Sequence, residues 1–473
     1  MTAAILRVSF LIAVISVVSF LVGRNVDTDM AASSTAVVIL NWSRPFNVNK
    51  IVSVICQYLD KSIVPSITIW NNNPNPMVFE EFSNTSCSKS RLQIINSEDN
   101  MYFQARYMAC ANVSTRYCFI QDDDYLVLPE IIEALTRRMD TDMNAPSSIH
   151  LLPPHEMLSS TLRTVSIHPR IRTTFAWLGY GTIIKQSQAV QFLALLDRLN
   201  LSEEQHQMAD NYFTILRNEL PERWFDSGIP LDGGQPFTVG PEGEERNNRH
   251  IISATHILES LTLDTGIVAS ERTYPYVQLL THHLPPSDIS RAPCHGRICI
   301  LETSIKLLPE STSSVSVTSA RDMFEIEKGR LKDLGEKQAI NYIDFAPSNA
   351  VDGDPKTIFY SLENGKKGEW ISLDLTHCLF FDEIQFVLEV DEAMITVLQK
   401  SACEVSADGL DWTMSKQQMS CTGIVRADSD LGATTSSRCI SVASKTHVRY
   451  IRLRLLGNVD SPWKISEMYV IHA

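Results

Sequence analysis

Three aspartates, Asp122, Asp123 and Asp124, follow the apolar run YCFIQ without a gap and precede Tyr125 and a helix-starting Leu-Pro-Glu. Adjacent carboxylates repel one another, so they persist most readily where a hard divalent cation neutralises them. Mg2+ and Mn2+ sites use one or two carboxylates together with substrate phosphates. Taken alone, the triplet also fits an exposed acidic turn capping the helix around Glu130. Asn41, Asn71 and Asn72 end two other apolar runs. Each is an ordinary turn residue by type, yet a carboxamide can also pair with the edge of a base.

The elements that would position these groups alternate. TAVVILNW (35–42) reads as a strand, the stretch after Pro45 through VNKIVSVICQYL as a helix, and SITIWNN (66–72) as a second strand. RLQIIN (91–96), MYFQARYMACANV (101–113) and RYCFIQ (116–121) continue as strand, helix and strand. Short β-branched runs alternating with helices imply a parallel sheet of βαβ units, in which ligands bind at the carboxyl ends of strands. Asn41, Asn71, Asn72 and Asp122 occupy those ends. A helix over 128–139, strands over 148–152 and 164–168, a buried TTFAWLGYGTIIK, and helices over 189–199 and 204–220 follow, and 230–249 reads as loop. A Ser/Thr-rich stretch around 303–325 marks a boundary. Beyond it EWISLDL, EIQFVLEV, HVRYIRLRLLG and EMYVIHA read as an all-β sandwich. The expected division is 1–27 membrane segment, 35–300 α/β domain, 301–324 linker and 325–473 β-sandwich.

Residues 3–22 are apolar apart from Arg7 and three serines, and Arg24 closes the run. This is a retained signal anchor in one reading and a peptide cleaved near Ala31 or Ala32 in the other. Either route leads to an oxidising lumen, where the ten cysteines can pair. Cys294 and Cys299 suit a small local loop, and Cys378, Cys403, Cys421 and Cys439 are expected to pair within their own domain. Sequons begin at Asn84, Asn112 and Asn200, and a fourth at Asn41. With 41 Lys and Arg against 55 Asp and Glu, the chain has no electrostatic footprint for nucleic acid. The 44% hydrophobic and 20% charged composition is that of globular protein.

Over about residues 35–260 the chain resembles the DXD-type, GT-A-fold glycosyltransferases, and more narrowly the exostosin-like (family 64-type) hexosaminyltransferases. VVILNWSRP is similar to that family's first strand and basic turn, SITIWNNNPN to its second strand, and IQDDDY to its metal-binding strand end. The resemblance implies a Rossmann-like mixed sheet and a transferase using a nucleotide sugar, a UDP-sugar, with Mn2+ or Mg2+. By position it places Asn41, Arg44, Asn71 and Asn72 near the nucleotide, and Asn100 and Arg106 toward base and phosphates. Asp122 or Asp123 would face the ribose. Asp124, with Asp122, would bind the metal that assists the leaving group. FAWLGYGTIIK resembles the acceptor-side strand and ADNYFTIL the motif in which an aspartate opens an apolar helix, which makes Asp210 the catalytic carboxylate. Arg246 or Arg249 resembles an arginine that contacts the departing diphosphate. His250 is either a further metal or phosphate ligand or a structural residue. The narrow resemblance implies retention of anomeric configuration; the broader one would leave Asp210 as general base in inversion. The acceptor would be a luminal glycan or glycoconjugate, and the setting a Golgi or ER membrane in type II orientation, or secretion.

The C-terminal part, about residues 325–473, resembles discoidin or coagulation-factor type C domains in NAVDGDPKT, EWISLDL, CEVSADGLDWT and RYIRLRLL. The resemblance implies a β-sandwich whose end loops bind glycans, lipids or proteins. Ca2+ sometimes sits near an Asp-Gly-Asp turn such as Asp352-Gly353-Asp354, read here as structural. Ile358-Phe359 replaces the usual tryptophan. A competing reading of the whole chain is a catalytically silent glycan-binding or adhesion protein with a relic transferase domain.

Overall fold

The structure is a computed structural model. It describes residues 34–140, 145–167, 169–233, 237–238, 240–263, 274–280, 289–309, 317–415, 419–428 and 432–472. The expected membrane segment, 1–27, lies outside these residues. Among the described residues no helix is long and apolar enough to cross a membrane.

Four parallel strands begin the sheet: β1 (Thr35–Asn41), β2 (Ile67–Asn71), β3 (Leu92–Asn96) and β4 (Tyr117–Asp122), in spatial order β3-β2-β1-β4. Every side chain of β2, and all but one in each of β1 and β4, is buried, as expected for strands covered on both faces. Helices α1 (Pro45–Tyr58) and α2 (Gln104–Ala111) make the crossovers. Asn41 pairs in register with Asn71, Asn71 with Asn96, and Leu40 with Asp122. Three asparagines therefore stand level at the carboxyl edge, with the acidic triplet beginning one residue back.

Past β4 the sheet becomes mixed. Helix α3 (Pro129–Met139) leads to β5 (Ser148–Leu152), and α4 (Pro154–Leu162) follows it. β6 (Thr182–Lys185) lies antiparallel between β4 and β5, and α5 (Gln186–Arg198) continues from it. The helix expected over 204–220 is broken. Ser202 and Gln205 form a capping box on a single turn, Glu203–Gln207, and α6 (Asp210–Arg217) starts anew after Met208 and Ala209. β7 (Glu222–Phe225) runs parallel to β5. The segment read as loop over 230–249 ends in helix instead: α7 spans Pro241–Leu263. Proline at the first helical position and Glu242 and Glu244 in the first turn are helix-start chemistry that outweighs the Gly/Pro content just before it.

Strands β8 (Ser290–Pro293) and β9 (Ile300–Thr303) extend the same sheet. Helices α8 (Met323–Leu334) and α9 (Glu336–Asp344) precede the sandwich strands β10 (Phe359–Asn364), β11 (Trp370–Val390), β12 (Ser401–Ser406), β13 (Ser420–Asp428), β14 (Gly432–Leu455) and β15 (Pro462–His472). The fold is thus an α/β region with a mixed sheet followed by an all-β discoidin-like sandwich. Residues 301–324, read as linker, begin inside β9, and β9 pairs antiparallel with β11, Ile300 opposite Asp374 and Thr303 opposite Ile371. One hydrogen-bonded ladder therefore runs from the α/β sheet into the sandwich. A single apolar cluster follows it, from Leu152, Leu158 and Phe225 through Leu301 and Tyr342 to Leu373 and Trp463.

Cys294–Cys299 form the expected local disulfide, and Cys56–Cys87, Cys110–Cys118 and Cys421–Cys439 are also bonded. Cys378 and Cys403 are free, contrary to expectation: Cys378 is exposed and Cys403 buried. Asn84, Asn112 and Asn200 are exposed, whereas Asn41 is buried.

Candidate functional site

The asparagine row is held by its own carboxamides. Asn41 Nδ2 donates to Asn71 Oδ1 (2.7 Å), and Asn71 Nδ2 donates to Asn96 Oδ1 (2.9 Å) and the Asn75 carbonyl (2.8 Å). Asn72 Oδ1 accepts from the Met101 amide (3.0 Å) and the Trp70 indole (3.2 Å), and its Nδ2 donates to the Tyr102 carbonyl (3.2 Å). Asn100 Oδ1 accepts from the Tyr102 amide (2.8 Å). Asn72 and Asn100 thereby fix the turn that launches α2, the helix that carries Arg106. Asn41 Oδ1 is buried with no partner among the described residues.

Each acid of the triplet has its own surroundings. Asp123 turns back toward β1, accepting from Arg44 Nη1 (2.6 Å) and the Trp42 amide (3.2 Å). Asp122 pairs with Arg106, whose Nη2 lies 2.6 Å from Oδ2. The other terminal nitrogen of Arg106 donates to Asp210 at the start of α6. Both the Arg106 and Asp210 side chains are 1% exposed, whereas Asp122 is 26% and Asp124 17% exposed. Tyr107 donates its hydroxyl to the second oxygen of Asp210 (3.0 Å). Arg44 Nη1 reaches Asp124 only at 4.0 Å.

Charge crowding follows from this arrangement. Burial, then the Asp122 and Asp123 carboxylates, outweigh Arg44 and push Asp124 up to about 7. Burial pushes Asp210 up to about 6 despite Arg106. Arg106 is held above its ordinary value because Asp122 and Asp210 outweigh its own desolvation. Gly179 makes room for the cluster. Its carbonyl accepts from the Asp122 amide (3.0 Å), and a Cβ there would collide with the Asp122 carboxylate. The glycine-flanked FAWLGYG stretch thus lies against the acids.

The nominations on α7 separate. Arg246 lies over the Phe237 ring (3.6 Å to its centroid) and donates to the Phe237 carbonyl (2.8 Å), with Phe237 against Tyr102 at 5.3 Å. Arg249 pairs with Glu204 (2.6 Å). His250 Nδ1 lies 2.9 Å from the Tyr212 hydroxyl and its Nε2 3.4 Å from Glu204. The contacts of His250 are with these two residues and not with the acidic triplet, and burial lowers its pKa. The structure therefore gathers Arg44, Arg106, Asp122, Asp123, Asp124 and Asp210 beside the asparagine row.

Sequence reasoning missed Trp42, Tyr107 and Gly179. Trp42 is 49% exposed beside Arg44. An exposed tryptophan at a strand's carboxyl end is a signal in itself. Tyr107 follows Arg106 directly, and only the fold brings it to Asp210.

Among the described residues no three His, Cys, Asp or Glu side chains are gathered as a metal cage. A nucleotide-bound Mg2+ or Mn2+ needs only one or two carboxylates, the rest of its shell being phosphate and water. Asp124, with Asp122, suits that demand: hard oxygen donors, partly open, with the Asp124 carboxyl pushed up by burial and by the Asp122 charge, which a bound cation would offset.

The C-terminal strands meet a family model. Residues 335–468 match the F5/8 type C domain. The F5/8 type C unit thus covers α9 and almost all of the sandwich. No curated protein matches the chain. Among solved structures, TarS of S. aureus aligns at 12% identity, covering 50% of this chain and 75% of that one, with a TM-score of 0.30. A mannosyltransferase from Pyrobaculum calidifontis, in complex with GDP-Man and Mn2+, aligns at 9% identity over 47% of this chain and 63% of that one, with a TM-score of 0.32. A chitosan-binding module from Paenibacillus sp. IK-5, in complex with chitotriose, aligns at 17% identity over 27% of this chain and 86% of that one, with a TM-score of 0.18. Likenesses at such TM-scores say nothing of substrate or mechanism.

Proposed function

We propose that the chain is a glycosyltransferase, with its catalytic unit over 35–300 and the sandwich over 325–473. It would move a hexosyl or N-acetylhexosaminyl group from a metal-bound UDP-sugar to a luminal glycan or glycoconjugate. The observation that carries the reading is Arg106, a buried guanidinium shared by Asp122 at the edge of β4 and Asp210 at the start of α6. It ties the strand end suited to a metal-bound diphosphate to a carboxylate placed across from it.

Asp124 and Asp122 would hold the divalent cation. When bound, that ion neutralises the diphosphate as it leaves. Arg44 fixes Asp123, and the asparagine row, in which Asn41 Oδ1 is buried with no partner among the described residues, would border the nucleotide. Asp210 would serve the anomeric carbon, in keeping with retention, its orientation set by Arg106 and Tyr107. Arg246, over the Phe237 ring, or Arg249, paired with Glu204, would meet the departing diphosphate. The disulfides and exposed sequons support a luminal or extracellular setting; the apolar run within residues 1–27 would then serve as a type II anchor.

One observation favours the silent-protein reading: Asp210 is shut from solvent by its two partners. Calorimetric titration of residues 28–473 with UDP, GDP and their sugar nucleotides, with and without Mn2+, separates the two. Metal-dependent binding of one nucleotide, abolished in Asp124→Ala, supports the transferase. A folded sample that binds none in either metal state leaves the silent glycan-binding protein as the account.

A further inference from the structure

Asp122 and Leu152 end two strands of the same direction, β4 and β5, and the segment that enters β6 runs back between them. Thr182 of β6 stands level with Ile120 on one side and with His150 on the other. Tyr180, two residues earlier, is therefore set at the carboxyl edge between Asp122 and Leu152. The backbone fixes it there: the Gly179 carbonyl accepts from the Asp122 amide (3.0 Å), and the Gly181 carbonyl from the Leu151 amide (2.8 Å). Past Leu152 the chain turns into α4, whose first turn carries Glu156. Glu156 thus belongs to the same edge as the acidic triplet, from a strand end two strand spacings away, about 10 Å. It lies in none of the stretches that carry the family resemblance.

A strip of rings joins the two acidic places. Tyr125, next to Asp124, lies 5.0 Å from Tyr180 between ring centroids. The hydroxyls of both tyrosines feel the charges of Asp124 and of Glu156, which raise their pKa values further after burial has done so. The Trp177 indole lies close enough to Glu156 to favour its charged form. All three rings are half-buried. The Glu156 side chain is 22% exposed, and burial holds its carboxyl above the ordinary value. Among the described residues no arginine or lysine forms a salt bridge with it. Arg163 acts on it from a distance while donating to both oxygens of Glu327 (3.0 and 2.9 Å), and His155, 3.9 Å away, is mostly exposed. An acid in a first turn favours its helix. That role needs neither burial nor aromatic neighbours.

We propose that Glu156 holds a hydroxyl of the acceptor sugar, whose ring lies along Tyr125, Tyr180 and Trp177, and that it selects an acceptor ring without negative charge. The inference rests on the transferase reading and adds to it the residue that chooses the acceptor. An ionised carboxylate can only accept, and a sugar hydroxyl supplies the proton. Tyrosine and tryptophan offer a flat apolar face with a polar tip, which suits a ring that is apolar on its faces and polar at its rim. An acid group on that ring would face Glu156 on one side and the triplet on the other, and like charges so placed are costly.

The test uses the full chain in detergent micelles, UDP and GDP, and the p-nitrophenyl glycosides of glucose, galactose, mannose and N-acetylglucosamine. p-Nitrophenyl glucuronide is the anionic counterpart. Calorimetry reads nucleotide binding. Proton relaxation of the glycosides, with Mn2+ against Mg2+ beside the nucleotide, reads whether a sugar sits near the metal rather than on the sandwich. Wild type is expected to show Mn2+-dependent relaxation of at least one neutral glycoside and less of the glucuronide. Glu156→Gln should weaken that glycoside at least about tenfold, the loss of a hydrogen bond to a charged group. It should also narrow the gap to the glucuronide while nucleotide affinity stays unchanged. If Glu156→Gln fails to fold, Tyr180→Leu, which removes the ring, is expected to give the same loss of glycoside and decides in its place. Relaxation retained in the deciding variant overturns the proposal, as does a glucuronide preferred by wild type, or a joint loss of nucleotide and glycoside. A wild type that binds nucleotide but relaxes no glycoside overturns it and leaves the transferase reading standing. A wild type that binds no nucleotide overturns both.

Discussion

Arg106 and Asp210 stand 104 residues apart in the chain and form an ion pair in which each side chain is 1% exposed. Removing one partner of such a pair strands the other charge in a low-dielectric site, at a cost of about 3–5 kcal/mol. Arg106 also serves Asp122, so Arg106→Ala strands two carboxylates. It is expected to lose at least that much stability in urea unfolding, and the Arg106→Ala/Asp210→Asn double variant to recover part of it. Equal losses in the single and double variants would show that the pair does not couple.

Asp124 lies in the opposite regime, since its fold raises the carboxyl from 3.8 to about 7. A group so raised contributes stability in full below the lower value and loses it as pH climbs through the upper one. Stability without divalent cation should therefore fall between pH 4 and 7. Asp124→Asn is expected to flatten that slope and to gain about 1 kcal/mol at pH 7.5. Mn2+ should stabilise wild type and leave Asp124→Asn unmoved, as read by thermal unfolding.

Gly179→Ala is expected to leave circular dichroism unchanged, because the position does not require a left-handed backbone. The new methyl would press on Asp122. Metal-dependent nucleotide binding should weaken at least tenfold, by about 1.4 kcal/mol. Unchanged binding would show that Asp122 can shift without consequence.

Trp42, exposed beside the Asp123–Arg44 pair, is expected to report nucleotide binding as quenched fluorescence that Trp42→Phe removes. Trp42→Ala should weaken nucleotide affinity by a stacking contribution of about 1–3 kcal/mol. Quenching that survives Trp42→Phe would place the base elsewhere.

Residues 34–334 expressed without the sandwich are expected to aggregate. Truncation bares the β9 edge that pairs with β11 and opens the apolar cluster at Phe225 and Leu301. A soluble, cooperatively unfolding fragment would contradict this.

The strand ends of the α/β region were legible because a two-sided parallel sheet leaves an unambiguous trace: β-branched runs that stop at Asn41, Asn71 and Asp122. The triplet was legible because adjacent acids need a reason to exist. Pairings set by distant helices were not. Nothing in the sequence near Tyr107 names Asp210 as its partner, and nothing in the short run ICILET tells an edge strand from one that crosses into another unit. The Gly/Pro-rich stretch before Pro241 masks the start of α7, whose sequence signal is the proline and the acidic first turn of Glu242 and Glu244. Arg249 and His250 landed with Glu204 because a capping box, rather than a continuous helix, placed Glu204 beneath them.

The β9–β11 ladder also governs reach. A module on a flexible tether samples a volume, and its ligand meets a neighbouring site at an effective concentration set by linker length. Here the chain crosses between units within a strand pair, so on the proposed transferase reading a polymer held by the sandwich would be presented at one distance and one angle to the carboxyl edge of β1–β4. Such a protein would measure its substrate as a ruler does: chain length and the position of the modified sugar would become selectable properties, independent of how tightly either end is held.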